Sequence, residues 1–255
     1  MTPQISVVVP TFRRTEPLRR CLVALLSQSV PAADYEIVVV NDDDRSDAVD
    51  RLVHELQQAS LNATAGHAPT LVYLRPRHGC GPAVARNCGW RAARGRLIAF
   101  IDDDTVPHPR WLELGRQAMQ QNRSWSALCG RVAVPRNALG AARGAANAPP
   151  LQGEFVAANA FVWRSALVRV NGFDERHGPL PHPERDLQLR LARGVGPVGR
   201  CEHVVVVQPA PRAPAEARAP GRYSAYISSA LGSMLPFSGA YRRLCGALRF
   251  HMLMF

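Results

Sequence analysis

The most conspicuous absence from this sequence is lysine, which occurs nowhere among its 255 residues. All 31 strongly basic side chains are therefore arginines, and against 20 acidic side chains they give a formal net charge of +11. A basic surface favours anionic partners such as nucleotide diphosphates, anionic lipid headgroups or nucleic acid. Aromatic residues make up only 7% of the chain and are not interleaved with the arginines as in a single-strand nucleic-acid platform, so we expect no nucleic-acid partner.

Targeting and membrane-spanning patterns are also missing. The sequence contains no apolar run long enough to cross a bilayer, and Met1 leads into an apolar segment without the basic leader of a signal peptide. We therefore expect a cytoplasmic protein, with at most a peripheral contact at the inner membrane face. No Cys-x-x-Cys pair or zinc-site spacing is present, which favours reduced thiols for the six cysteines at positions 21, 80, 88, 129, 201 and 245.

What the chain does contain is an alternation of apolar segments and helical patterns over residues 1–208, which predicts an α/β domain. We expect a mostly parallel central sheet flanked by helices. The predicted strands cover residues 5–9, 35–40, 71–74, 97–101, 127–134 and 204–207. Predicted helices include one capped by Thr15, one over residues 46–59, one over 83–94 that ends at a left-handed Gly95, and one over 183–193.

Two segments carry no clear strand or helix period. Residues 135–150 are rich in Ala, Gly, Asn and Arg and are predicted to form a mobile loop near the site. Residues 209–255 form a Pro/Arg-rich linker and an amphipathic tail, predicted to be helical. This tail could lie on an anionic membrane surface, or it could close over the core or form a dimer contact.

The run from Leu97 to Ile101 ends abruptly in three carboxylates, Asp102, Asp103 and Asp104. The carboxyl ends of parallel strands open into the crevice where such folds bind ligands. Adjacent like charges are costly unless a cation lies between them, and a divalent metal that carries phosphate is the obvious candidate. The alternative is a solvated acidic turn that caps the next helix.

A second acidic cluster, residues 41–44, follows the strand predicted over residues 35–40. Asp42 is well placed to accept a hydrogen bond from a base N–H or a ribose hydroxyl at a strand-to-helix turn. For Asp44 and Ser46 we favour a helix-capping role. Because both clusters follow strands of one predicted sheet, they are expected to converge on one crevice.

A helix opened by Gly81 and Pro82 carries Arg86 and Asn87 one turn from its start. The first backbone N–H groups of a helix bind anions, and an arginine close to them strengthens such a site. This pattern predicts that Arg86 contacts a diphosphate.

The chain resembles the GT-A fold glycosyltransferases of family two. The resemblance is carried by Pro-Thr-Phe-Arg at residues 10–13, Asn-Asp at 41–42, Gly-Pro-Ala-Val-Ala-Arg-Asn at 81–87 and the Asp triplet, in that order. It implies a nucleotide-sugar donor, usually a UDP-sugar, bound with manganese or magnesium. The domain would then consist of a donor-binding half (1–104) and an acceptor and catalytic-base half (105–208). The resemblance also implies donor contacts from Pro10, Thr11, Arg13, Asp42, Arg86, Asp102 and Asp103, and metal ligation by Asp104 with Asp102.

By the same resemblance, an acidic motif near residue 184 would hold the catalytic base. Where the family usually reads Glu-Asp-x-Asp-Leu, this chain reads Pro-Glu-Arg-Asp-Leu at residues 183–187. Inverting transfer needs a base for the acceptor hydroxyl proton, and we expect Glu184, or else Asp186, to supply it. The alternative is that both acids favour the helix dipole, with Asp186 paired to Arg190.

Two departures from the family refine this expectation. Gln208 and Pro209 stand where related enzymes often place a His, so a metal would be held mainly by Asp104, the diphosphate and water. The Gln-x-x-Arg-Trp signature of processive members is absent, which favours single transfers to a glycan, a lipid-linked or a small-molecule acceptor.

Two other functions stay open, a catalytically silent nucleotide-sugar-binding module and a sugar nucleotidyltransferase; against the latter, no early Gly-rich phosphate loop follows the first strand.

Overall fold

A computed structural model describes residues 2–42, 46–76, 81–134, 155–175 and 183–209 of the chain. In this part of the chain eight strands form one sheet. They are β1 (Ile5–Thr11), β2 (Tyr35–Asn41), β3 (Thr70–Leu74), β4 (Leu97–Ile101), β5 (Val106–Pro107), β6 (Ala127–Ala133), β7 (Asn159–Trp163) and β8 (Val198–Val207).

Six α-helices accompany the sheet in the same residues, with a short 3₁₀ helix (Ala32–Asp34) before β2. They are α1 (Thr15–Leu25), α2 (Ala48–Ala63), α3 (Pro82–Ala92), α4 (Trp111–Gln121), α5 (Arg164–Val170) and α6 (Pro183–Gly194). None of the helices in the described ranges is both long and apolar enough to cross a membrane.

The strand order is β3-β2-β1-β4-β7-β6-β8-β5, and the first four strands run parallel. Strand β7 lies antiparallel to β4 and β6, whereas β6 and β8 are parallel to each other. The predicted α/β class with a mostly parallel sheet is therefore confirmed. The register pairs Thr11 with Asn41, so the carboxyl ends of β1 and β2 lie level at one edge of the sheet.

Helices pack on both faces because the central strands are apolar on both faces. Val7 and Val9 of β1 belong to a core with α1, α2 and α4, whereas Val8 belongs to a second core with α3, α5 and α6. A parallel strand covered in this way is apolar throughout rather than alternating, as β1 and β2 are. The predicted helical face of α1, which includes Leu18 and Leu22, is fully buried.

The structure corrects two predicted helix ends. Thr15 is the first residue of α1 rather than its cap, and no side chain caps that helix. Helix α3 ends at Ala92, and Gly95 is not in the left-handed region. A glycine is needed at position 95 for another reason: a Cβ there would lie 2.7 Å from the backbone of Ile5 and Ser6.

Several predictions fall on residues that the structure does not describe. The loop predicted over residues 135–150 and the tail after Pro209 lie outside the described ranges, as do Asp43 and Asp44. Four of the six cysteines are described, and all four are free thiols: Cys21, Cys88, Cys129 and Cys201.

Candidate active site

A cavity of about 490 Å³ opens at the carboxyl ends of β1, β2 and β4, beside the start of α3. This is the edge at which an open parallel sheet is expected to bind ligands. The lining residues are Pro10, Thr11, Phe12, Arg14, Asp42, Gly81, Pro82, Ala85, Arg86, Asp102, Asp103 and Asp104. The two acidic segments predicted to converge therefore do meet in one cavity.

Asp103 is the most buried of these carboxylates, with 5% of its surface exposed. The hydroxyl of Thr11 donates a 2.7 Å hydrogen bond to its Oδ2, and Arg14 Nη1 lies 3.5 Å from its Oδ1. Burial raises the pKa of Asp103 from 3.8 to about 6, although the Thr11 hydrogen bond and the Arg14 charge oppose that rise. The site therefore holds this carboxylate at a cost that a bound cation would relieve.

Asp104 has one satisfied and one unsatisfied carboxylate oxygen. Its Oδ2 accepts hydrogen bonds from Arg14 Nη1 at 3.3 Å and Gln208 Nε2 at 3.4 Å, whereas its buried Oδ1 has no partner. A buried carboxylate oxygen without a donor is the type of atom that a hard divalent cation binds. Within the described ranges no three His, Cys, Asp or Glu side chains form a metal-binding group.

Asp42 joins the end of β2 to the start of α3. Its Oδ2 accepts a 2.9 Å hydrogen bond from the backbone N–H of Gly81, whose φ of +96° is a conformation that favours glycine. Ser46 Oγ accepts the N–H of Ala48 at 3.2 Å, but the N-cap residue of α2 is Asp47 and no side chain caps the helix, so the predicted capping role of Ser46 is wrong. Asp42 thus borders the cavity and also sets the position of the turn that opens α3.

Arg86 lies between two carboxylates from distant parts of the chain. Its Nη2 donates to Asp102 Oδ1 at 2.9 Å, and its Nη1 donates to Glu184 Oε1 at 3.3 Å. Only 6% of its side chain is exposed. The predicted partner was a diphosphate at the helix start, whereas the contacts of Arg86 in this structure are carboxylates at the edge of the cavity.

The two candidate bases on α6 have different surroundings. Glu184 contacts Arg86, which lines the cavity. Asp186 accepts hydrogen bonds from Arg190 at 2.6 and 2.9 Å and lines a second cavity beside α5. The ion pair with Arg190, which was the structural alternative for Asp186, is therefore present.

Sequence reasoning missed one residue of the site, Arg14, and the role of another, Asn87. Arg14, rather than Arg13, contacts Asp103 and Asp104. Arg13 adopts a left-handed φ of 56°, and its guanidinium lies 4.7 Å from the centre of the Phe12 ring. Two successive arginines carry no sequence signal that says which one the turn directs toward the cavity.

Asn87 was named from the sequence only as the neighbour of Arg86, and it is fully buried. Its amide nitrogen donates to the carbonyl of Phe173 at 2.8 Å and to Glu175 at 2.6 Å. Its carbonyl oxygen accepts from Trp90 Nε1 at 2.7 Å and from the Phe173 N–H at 2.9 Å. Asn87 thus fastens α3 to residues 173–175, and only the tertiary fold reveals this role.

A mostly parallel sheet covered on both faces, with a carboxylate-lined cavity at its strand ends, is the architecture of GT-A glycosyltransferases. Mannosyltransferase PcManGT from Pyrobaculum calidifontis, solved with GDP-Man and Mn²⁺, matches with a TM-score of 0.64 at 17% identity, covering 100% of this chain and 76% of that one. Staphylococcus aureus TarS 1–349, solved with UDP-GlcNAc, matches with a TM-score of 0.61 at 16% identity, covering 98% and 73%. These similarities establish the GT-A fold.

Residues 6–164 match the model of Glycosyl transferase family 2, and the chain belongs to this family. Glycosyltransferase AglE of Haloferax volcanii is 33% identical over 113 residues, which are 44% of this chain and 34% of that protein. Poly(ribitol-phosphate) beta-N-acetylglucosaminyltransferase TarP of Staphylococcus aureus is 26% identical over 111 residues, 43% and 31% respectively. The matched region thus spans about a third of the length of these two relatives.

Proposed function

We propose that this protein is an inverting glycosyltransferase that moves one sugar at a time from a nucleotide-sugar donor, a UDP-sugar, to an acceptor hydroxyl. The observation that carries the proposal is the 3.3 Å contact between Glu184 Oε1 and Arg86 Nη1, because Arg86 lines the cavity together with Thr11, Asp42 and the Asp triplet. This contact supports a candidate base close to the proposed donor site, as transfer requires.

The charges of the cavity support a donor that arrives with a cation. Four carboxylates line it, against the two guanidinium groups of Arg14 and Arg86. A diphosphate alone would add negative charge to a site that already carries an excess of it. A magnesium or manganese ion would cancel the charge that the donor diphosphate brings, and Asp104, whose Oδ1 has no partner, would hold that metal with Asp102 nearby. When bound, such an ion neutralises charge that develops on the leaving diphosphate.

The chemistry assigned to the protein's own side chains is acid–base and positional. Glu184 accepts the proton of the acceptor hydroxyl as its oxygen forms a bond to the anomeric carbon. The bond between that carbon and the diphosphate oxygen breaks on the opposite face, so the configuration inverts. A well-placed general base contributes about 10²- to 10⁴-fold to such a step.

The donor assignment is supported by what related proteins bind. TarS has been solved with UDP-GlcNAc, and PcManGT with GDP-Man and Mn²⁺. We place UDP first because the cavity is lined by residues of the motifs that carry the family resemblance, and that resemblance implies a UDP-sugar donor. The acceptor, a cytoplasmic location and a peripheral membrane contact through the tail stay predictions from the sequence.

The test combines nucleotide binding with turnover. Thermal unfolding is followed with UDP or GDP, with and without MnCl₂, and then nucleotide release from UDP-GlcNAc, UDP-glucose and GDP-mannose is measured. We expect UDP with Mn²⁺ to raise the melting temperature. Glu184→Gln should lower turnover about 10²- to 10⁴-fold without loss of UDP binding. Asp186→Asn, the matched control two residues further along α6, should retain turnover.

Each contrary result removes a different part of the proposal. If no nucleotide raises the melting temperature, the donor site is wrong. If nucleotides bind but no donor turns over, the protein is a silent nucleotide-sugar-binding module. Full turnover by Glu184→Gln would exclude Glu184 as the base, and retention of configuration at the product anomeric carbon, measured by NMR, would exclude inversion.

A further inference from the structure

The guanidinium of Arg86 connects the two halves of the candidate site. Asp102, at the end of β4, receives one hydrogen bond from it, and Glu184, in the first turn of α6, receives the other. The two carboxylates are 82 positions apart in the chain, yet they share one cation. Each is partly exposed, with 34% of the Asp102 side chain and 28% of the Glu184 side chain accessible, whereas Arg86 itself is buried.

A buried guanidinium is stable only when its charge and its N–H groups are well paired. Arg86 pairs both terminal nitrogens with carboxylates, while its buried Nε has no hydrogen-bond partner. Its Cζ also lies 5.6 Å from the centre of the Phe173 ring, a favourable position for a cation. The orientation of the group is therefore set by the two carboxylates and the ring.

The helices on either side of the Arg86–Glu184 contact are each held in place by buried or partly buried hydrogen bonds. The next residue, Asn87, makes four hydrogen bonds that hold α3 against residues 173–175. On α6, Arg190 donates to the carbonyls of Val170 and Gly172 at 2.6 and 2.7 Å, which fixes that helix against the end of α5. Between these two anchored points, the Arg86–Glu184 ion pair links the start of α6 to α3.

We infer that Arg86 is a positioning residue that acts through Glu184: its contact holds the Glu184 carboxylate beside Asp102, at the mouth of the donor cavity. The inference rests on the proposed function, in which Glu184 is the base. It differs from a role in donor binding, which the position of Arg86 near the start of α3 suggested. A misplacement of a reacting group by about 1 Å can cost about 10²-fold in rate.

A role in donor binding and a role in positioning predict different kinetics. If Arg86 binds the diphosphate, its loss weakens UDP binding and raises the KM for the donor, whatever residue stands at position 184. If it positions Glu184, its loss lowers kcat, leaves UDP binding nearly unchanged, and has no further effect once the base has been removed.

The experiment is a double-mutant cycle on the full chain. Arg86→Gln, Glu184→Gln and the double variant are compared for kcat and KM of nucleotide release, from whichever of UDP-GlcNAc, UDP-glucose and GDP-mannose turns over. Calorimetry measures the Kd for UDP with Mn²⁺, and thermal unfolding reports folding. Arg91→Gln is the matched control, because Arg91 lies on the same helix and pairs with Glu175, away from the donor cavity.

We expect Arg86→Gln to lower kcat about 10²-fold. The double variant should match Glu184→Gln within about twofold, which is the usual tolerance for additivity. Arg91→Gln should retain full turnover. Arg86→Lys keeps the charge but not the two-armed fork, so it should recover part of kcat in the wild-type background only. Arg86→Lys also takes the place of Arg86→Gln in the double-mutant cycle if Arg86→Gln does not fold.

Effects of Arg86→Gln and Glu184→Gln that multiply in the double variant would overturn the inference and leave the proposed function intact. A loss confined to the donor KM and the UDP Kd would do the same. If Glu184→Gln retains full turnover, or if no donor turns over in the wild type, the proposed function fails first, and the inference fails with it.

Discussion

Asp103→Asn should make the ligand-free protein more stable at neutral pH. Asp103 is almost fully buried, and burial raises the pKa of its carboxyl from 3.8 to about 6. At pH 7.5 the folded protein must therefore hold a charge that its surroundings disfavour. Asparagine removes the charge but keeps a carbonyl oxygen that can accept the 2.7 Å hydrogen bond from Thr11.

The magnitude follows from the difference in pKa between the unfolded and folded states. Between pH 3.8 and about pH 6, the ordinary and the folded-state pKa of Asp103, the folded state binds more protons than the unfolded state. The free energy of unfolding therefore falls as the pH rises through this window. At about 1.4 kcal/mol per pH unit, the full cost reaches at most about 3 kcal/mol above pH 6. We expect a gain of about 1 to 3 kcal/mol for the variant at pH 7.5, and almost none at pH 4.

The assay is urea unfolding of the wild type and the variant with EDTA present, at several pH values from 4 to 8. The quantity of interest is the difference in unfolding free energy at each pH, because the effects of other titrating groups cancel in it. Asp186→Asn, which removes an exposed carboxylate paired with Arg190, is the control and should not stabilise the protein at pH 7.5. A variant that is less stable than the wild type at pH 7.5, or a gain that does not change with pH, would refute the reasoning.

Two further predictions concern the same cavity. Gly81→Ala places a side chain at a φ of +96°, where a Cβ meets no atom of the described residues within 4 Å but the backbone is strained, so we expect a loss of about 1 to 3 kcal/mol in urea unfolding. Gly66→Ala, at a φ of +87° and away from the cavity, controls for strain alone and should leave UDP binding unchanged. Asp104→Asn should abolish the part of the UDP-induced rise in melting temperature that depends on Mn²⁺, whereas an unchanged rise would show that Asp104 does not hold the metal.

The sequence predicts well those elements whose own apolar pattern shows that they are buried. The central strands β1, β2 and β4 are apolar on both faces, so their existence follows from hydrophobicity alone. The same holds for α1, whose apolar residues recur at helical spacing. The convergence of Asp42 with the Asp triplet could also be predicted, because parallel strands end at the same edge of the sheet.

Elements that depend on tertiary pairing were not predicted. The first half of β8 carries Arg200 and Glu202, which form an exposed ion pair at 2.8 Å, and it becomes a strand because it pairs with β6. The two-residue strand β5 exists only through its pairing with β8. Asn87 likewise has no local signal, since its four hydrogen bonds mostly join it to residues 86 or more positions away.

The choice between Glu184 and Asp186 illustrates where sequence reasoning ends at this site. The acidic motif favoured Glu184 but left Asp186 open, because both acids stand in the first turn of a helix. Successive residues of an α-helix are rotated by about 100°, so two acids at positions i and i+2 point in nearly opposite directions. With α6 packed against α5, Glu184 pairs with Arg86 of α3, whereas Asp186 pairs with Arg190 one turn along its own helix. The packing of α6, rather than the motif, therefore favours Glu184 as the base.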